Sequence, residues 1–72
     1  MILAKIKNES KGRSAWFGFP LFFGQLYTIE HSGDYSEMVH VLDVEGTDLF
    51  GPGYYTLYEL EAINKIIESR ND

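Results

Sequence analysis

Residues 15–29 read AWFGFPLFFGQLYTI, and the way this run is buried decides the fold. Its fifteen positions carry no charge and hold six rings, Trp16, Phe17, Phe19, Phe22, Phe23 and Tyr27, of the eleven aromatic residues in the chain. Six exposed rings would drive association, so the fold must cover most of that surface. Pro20 lacks a backbone donor and biases Phe19 toward an extended backbone, which argues against one continuous helix through the run. The reading is a short strand or extended segment at 15–19, a connection at 21–24 and a strand at 25–31. In that strand Tyr27 and Ile29 share one face, and Leu26, Thr28 and Glu30 the other. Gly18 and Gly24 are candidate bends.

Upstream, Ile2, Ala4 and Ile6 alternate with Leu3, Lys5 and Lys7, the period of a strand over residues 1–7. Residues 8–14 are polar, contain Gly12 and read as a loop. Downstream, His31-Ser32-Gly33-Asp34-Tyr35 is a turn signal and predicts a hairpin between strands 25–31 and 36–44. The second of these has Met38, Val39, Val41, Leu42 and Val44 on both faces, as a central strand does. A turn at 45–48 and a brief strand at 49–50 follow, and Gly51-Pro52-Gly53 then interrupts regular structure. Thr56 with Glu59 three positions later forms a capping box for a helix over 57–69. Leu57, Leu60, Ile63 and Ile67 recur on one face of that helix, and Ile66 widens the face.

The sum is one α+β domain of 72 residues. It is expected to be a small antiparallel sheet, or a barrel of three to five strands, with one C-terminal helix packed on it. A chain this short buries only about 60–65% of its unfolded surface, so large aromatics or a partner subunit must supply stability. No cysteine is present to add a disulfide or a thiolate, which fits a reducing, cytoplasmic setting.

Net charge is −5, unevenly spread. Residues 1–14 carry Lys5, Lys7, Lys11 and Arg13 against Glu9, whereas residues 30–61 carry eight acids and no Lys or Arg. An acidic half disfavours direct contact with nucleic acid and suits a basic protein partner. Residues 15–29 are too short and too interrupted to span a membrane, which needs about 20 apolar residues. No membrane partner is expected.

The middle of the chain resembles small SH3-like barrel proteins of the phage and bacterial type. The resemblance rests on Gly24-Gln25-Leu26-Tyr27-Thr28-Ile29, on Val39-His40-Val41-Leu42-Asp43 with Gly46, and on Leu49-Phe50. It covers about 30 residues and implies a β-meander, with no functional residue carried over. The ALYDY-type motif and paired tryptophans of peptide-binding SH3 domains are absent, and the C-terminal helix is longer than such barrels need.

Catalysis has no support in the pattern. No serine has a base and orienting acid at a recognised spacing, and Gly51-Pro52-Gly53 lacks the lysine of a phosphate loop. Metal ligation would draw on His40, Asp43, Glu45 and Asp48, but on a strand the odd spacing sends His40 and Asp43 to opposite faces. No cofactor and no metal are expected, and the acidic turn lacks the calcium-loop pattern.

The aromatic surplus is the functional signal. A helix and a small sheet hide six or seven of eleven rings, leaving a patch drawn from Trp16, Phe17, Tyr54, Tyr55 and Tyr58 and bordered by Asp43, Glu45 and Asp48. The expectation is a small acidic protein-interaction module, such as a phage-type modulator or inhibitor of a larger host protein. A second copy of the chain is the companion partner. Two other readings are a nucleic-acid mimic and a self-assembling structural component.

Overall fold

A computed structural model describes residues 1–70. The alternation at the N-terminus is realised as β1 (Ile2–Asn8). A tight turn at residues 9–12 follows, in which the Lys11 and Gly12 N–H groups both donate to Asn8 O and Gly12 takes a positive φ of 69°. The chain returns as β2 (Arg13–Phe19), paired with β1 at all seven positions without a bulge. The extended segment expected at 15–19 is thus a full strand that begins two residues earlier.

Beyond β2 comes a cis Phe19–Pro20 bond and then a 3-10 helix, Phe23–Ile29. This corrects the strand expected at 25–31. The side chains that turn inward are Leu26 and Ile29, with Phe23 half-buried, a spacing of three that matches the three-residue turn of a 3-10 helix. Alternation through Tyr27 and Ile29 is a coincidence of composition, since Tyr27 is exposed. The helix closes on Glu30, left-handed at φ 61°, whose N–H donates to Tyr27 O while His31 N–H reaches Leu26 O. The hairpin expected around residues 31–35 is consequently absent, and those residues form a loop.

The third strand, β3 (Met38–Glu45), lies against the other side of β1. The fourth, β4 (Gly53–Thr56), pairs with β3 and runs into α1 (Leu57–Arg70). Leu49 and Phe50 belong to the connecting loop rather than to a strand. Both are half-buried, and Phe50 rests 5.2 Å from the Phe19 ring and 6.1 Å from Tyr55. Their apolarity reflects core packing, and the strand forms from Gly53 onward, where Tyr54 and Tyr55 alternate out and in. Strand order is β2-β1-β3-β4, all antiparallel, in one open sheet.

One face of this sheet is the core. Register sets large groups beside small ones: Phe17 beside Ala4, and Ile6 between Ala15 and Val41, with Val41 facing Gly53. Such interlocking fills space without strain. Leu57, Leu60 and Ile67 of α1, Leu26 and Ile29 of the 3-10 helix, and Leu21 complete this single buried cluster. Burying each of these aliphatic side chains contributes about 1.5–3 kcal/mol. The chain is an α+β fold with every covering element on the same side.

Candidate functional site

Among the described residues no helix or loop layer lies on the opposite face of the sheet, and the residues of that face follow from register. Lys5 stands between Trp16 of β2 and Asp43 of β3, and Lys7 between Ser14 and His40, which in turn pairs with Tyr54 of β4. Leu3 stands between Gly18 and Glu45, and Met38 opposite Thr56. Trp16 is 45% exposed and Tyr54 57%.

A bulge in β3 shapes this surface. Lys5 pairs with Asp43 and Ile6 with Val41, so Leu42 is an extra residue with no partner on β1. The added residue reverses parity, and His40 and Asp43 therefore face the same side. This corrects the regular-strand expectation that they point apart. Among the described residues, no group of three His, Asp or Glu side chains is placed to hold a metal ion.

At one end of the face, Glu9 gathers three neighbours. His40 Nδ1 lies 2.5 Å from Glu9 Oε1, the Tyr54 hydroxyl donates to the same oxygen at 3.2 Å, and Lys7 Nζ reaches Oε2 at 3.4 Å. A carboxylate can only accept, so His40 carries its proton on Nδ1. The His40 and Tyr54 rings stack at 4.3 Å and 16°. The His40 bond, helped by Lys7 and Tyr54, holds the Glu9 carboxyl below the ordinary glutamate range. Glu9 in return raises the Tyr54 phenol by its hydrogen bond and its charge. The cluster fixes the orientation of two flat rings on an otherwise bare sheet.

Of the eight residues singled out from sequence, Trp16, Tyr54, Asp43 and Glu45 come together on this face. Phe17 does not: it is 5% exposed and part of the core, because neighbours on a strand point to opposite sides. Tyr55 is half-buried on the core side, with its hydroxyl bonded to Gly51 O at 2.7 Å. Tyr58 is exposed on α1, edge-on to Tyr35 at 5.1 Å, away from the sheet. Asp48 is exposed in the loop after β3, lining an open cleft of about 450 Å³ with Arg70, Phe19 and Ile67. Lys5, Lys7 and Glu9 have no place in the sequence reading of the site, and His40 enters it only as a metal-ligand candidate. The alternation of Lys5 and Lys7 with Ile6 was their only sequence signal, and nothing local links Glu9 to a strand thirty residues on.

In all, five of the eleven rings are exposed: Trp16, Phe22, Tyr27, Tyr54 and Tyr58. No described helix is long and apolar enough to cross a membrane. Comparison with protein-family models, curated proteins and solved structures finds no match to this chain.

Proposed function

We propose that this chain is a protein-interaction module that binds a larger protein through the bare face of its sheet and acts on it as a modulator or inhibitor. One observation carries the reading. The sheet places Trp16, Met38 and the stacked His40–Tyr54 pair on its one uncovered side, while the helix and both long connections cover the other. Tryptophan and tyrosine supply large contact area at low cost in side-chain entropy, and the Glu9 cluster pre-orders the rings further.

The charge of the face favours a mixed partner surface. Lys5 and Lys7 occupy the centre, with Asp43, Glu45 and Glu9 around them. A mimic of nucleic acid needs an uninterrupted acidic track, and two lysines in the middle of the face lend that reading no support. The matching partner surface carries acidic groups at its centre to meet the lysines, apolar area to meet Trp16 and the His40–Tyr54 pair, and basic groups toward its rim.

The test is affinity capture with the wild-type chain beside Trp16→Ala, Tyr54→Ala and Tyr58→Ala, each verified as folded by circular dichroism. The first two variants lose the partner by tenfold or more in affinity, and Tyr58→Ala retains it. Equal capture by all four proteins removes the reading.

A further inference from the structure

We infer that the free edge of β2 pairs antiparallel with the β2 edge of a second copy of this chain, joining two sheets into one of eight strands. The proposal uses the edge of the sheet and shares only Trp16 with recognition by its face. As an end strand, β2 is hydrogen-bonded on one side only. Its seven residues present about 23 Å of unpaired backbone at roughly 3.3 Å per residue.

Proteins protect such edges with proline, lysine, bulges, short strands or a covering loop. The other edge is protected, since β4 has four residues and passes directly into α1. β2 has no proline, lysine or bulge and is seven residues long: Pro20 falls just outside, the pairing with β1 is regular throughout, and the 3-10 helix flanks the strand across a groove. Its single charge, Arg13, is engaged with Glu30 at 2.8 Å.

A groove of about 430 Å³ runs beside the strand, lined by Ala15, Trp16, Phe17, Gln25, Tyr27 and Thr28. Trp16 belongs to the bare face, and Ala15 and Phe17 to the covered one. A groove that touches all three opens at the strand's edge. Tyr27, 74% exposed, forms its outer wall.

Self-complementarity selects a second copy as the occupant, and charge does not oppose it. Two chains of net charge −5 repel, yet Asp43, Glu45 and Asp48 lie in or just after β3, two strands from this edge. That is roughly 10 Å, about one Debye length at physiological ionic strength. The β2 flank is locally neutral, with Ala15, Trp16, Phe17 and Tyr27 beside Gln25 and Thr28 and a paired Arg13–Glu30 at its end. A two-fold axis normal to the sheet matches the strand with itself, as closed dimers require. It also brings the two bare faces side by side around the two Trp16 rings.

Sedimentation equilibrium from about 1 μM to 1 mM chain tests the pairing, since association through one strand edge is expected within that span. The wild type approaches twice its 8.3 kDa mass and dissociates on dilution. Trp16→Glu and Tyr27→Glu each weaken association at least tenfold, and Tyr54→Glu leaves it unchanged. Trp16→Glu sets its carboxylate beside Lys5, and Tyr27→Glu lies on an exposed turn, so at least one retains the fold, as amide spectra verify. In a mixed isotope-labelled sample, nuclear Overhauser effects connect β2 of one copy to β2 of the other. A wild type that stays monomeric overturns the proposal, even if an extended peptide binds the edge. So does a dimer indifferent to both substitutions, or one without β2-to-β2 contacts.

Discussion

Asn64 holds both backbone polar groups of Leu21: its side-chain oxygen accepts the Leu21 N–H at 2.7 Å, and its Nδ2 donates to the Leu21 carbonyl at 2.8 Å. Only one orientation of the amide satisfies both bonds. The pair ties α1 to the connection between β2 and the 3-10 helix, 43 residues away in sequence, where Leu21 is buried. Asn64→Leu leaves a buried donor and acceptor unpaired and is expected to destabilise the chain by about 2 kcal/mol or more. Asn64→Asp keeps the acceptor and loses less. Urea unfolding of the three proteins measures the order; a neutral Asn64→Leu would show that the clamp adds nothing.

Gly46, just after β3, combines a φ of 89° with contact against the start of the chain, where an added Cβ would run into the Met1 carbonyl oxygen. Left-handed backbone costs a residue with a Cβ about 1–2 kcal/mol, and the clash adds to it. Gly46→Ala is expected to lower the thermal midpoint clearly. Gly33→Ala has a comparable φ of 86° but open space around it, and loses less. Equal losses would mean that backbone strain acts without the clash.

The Glu9 cluster makes stability depend on pH in a stated direction. Glu9 titrates below its ordinary value of 4.5 in the folded chain, so its contribution is present above that value and lost as pH falls through the depressed one. Tyr54 titrates above 10.0, so its contribution is present below that value and lost as pH rises through the raised one. Ultraviolet titration of the tyrosinates, with Tyr54→Phe to identify the signal, is expected to place Tyr54 above 10.0. Glu9→Gln brings it back toward 10.0. A Tyr54 titration unmoved by Glu9→Gln would contradict the contact.

At the start of α1 the capping box is complete: Thr56 N–H donates to Glu59 Oε1 at 3.0 Å, and Glu59 N–H to Thr56 Oγ1 at 3.3 Å. Thr56→Ala is expected to cost about 1 kcal/mol, and Thr56→Ser much less. Denaturant midpoints distinguish the two.

The helix and its cap were legible because their rules act over three or four residues. Strand 1–7 was legible from alternation, and strand 36–44 from a run with apolar residues on both faces. The segment at residues 25–31 was misread because Tyr27 and Ile29, spaced by two, fit an alternating run, whereas the buried pair Leu26 and Ile29, spaced by three, follows the 3-10 turn. The face was half legible: Trp16 and Tyr54 stood out as large rings. Their separation from Phe17 and Tyr55 needed the register, and the shared side of His40 and Asp43 needed the bulge at Leu42. A bulge leaves no local signature here, since Leu42 looks like any other strand residue. Glu9 joins His40 and Tyr54 only through the fold, at separations of 31 and 45 residues.

Lys5 and Lys7 occupy the middle of the bare face, whereas Lys11 lies in the turn after β1 and Lys65 on α1. Amine-selective labelling read by mass spectrometry, with and without the captured partner, therefore reports contact at that face directly. The account predicts that Lys5 and Lys7 are protected in the complex while Lys11 and Lys65 react as before. Equal labelling of Lys5 and Lys7 in the free and bound chain would contradict it.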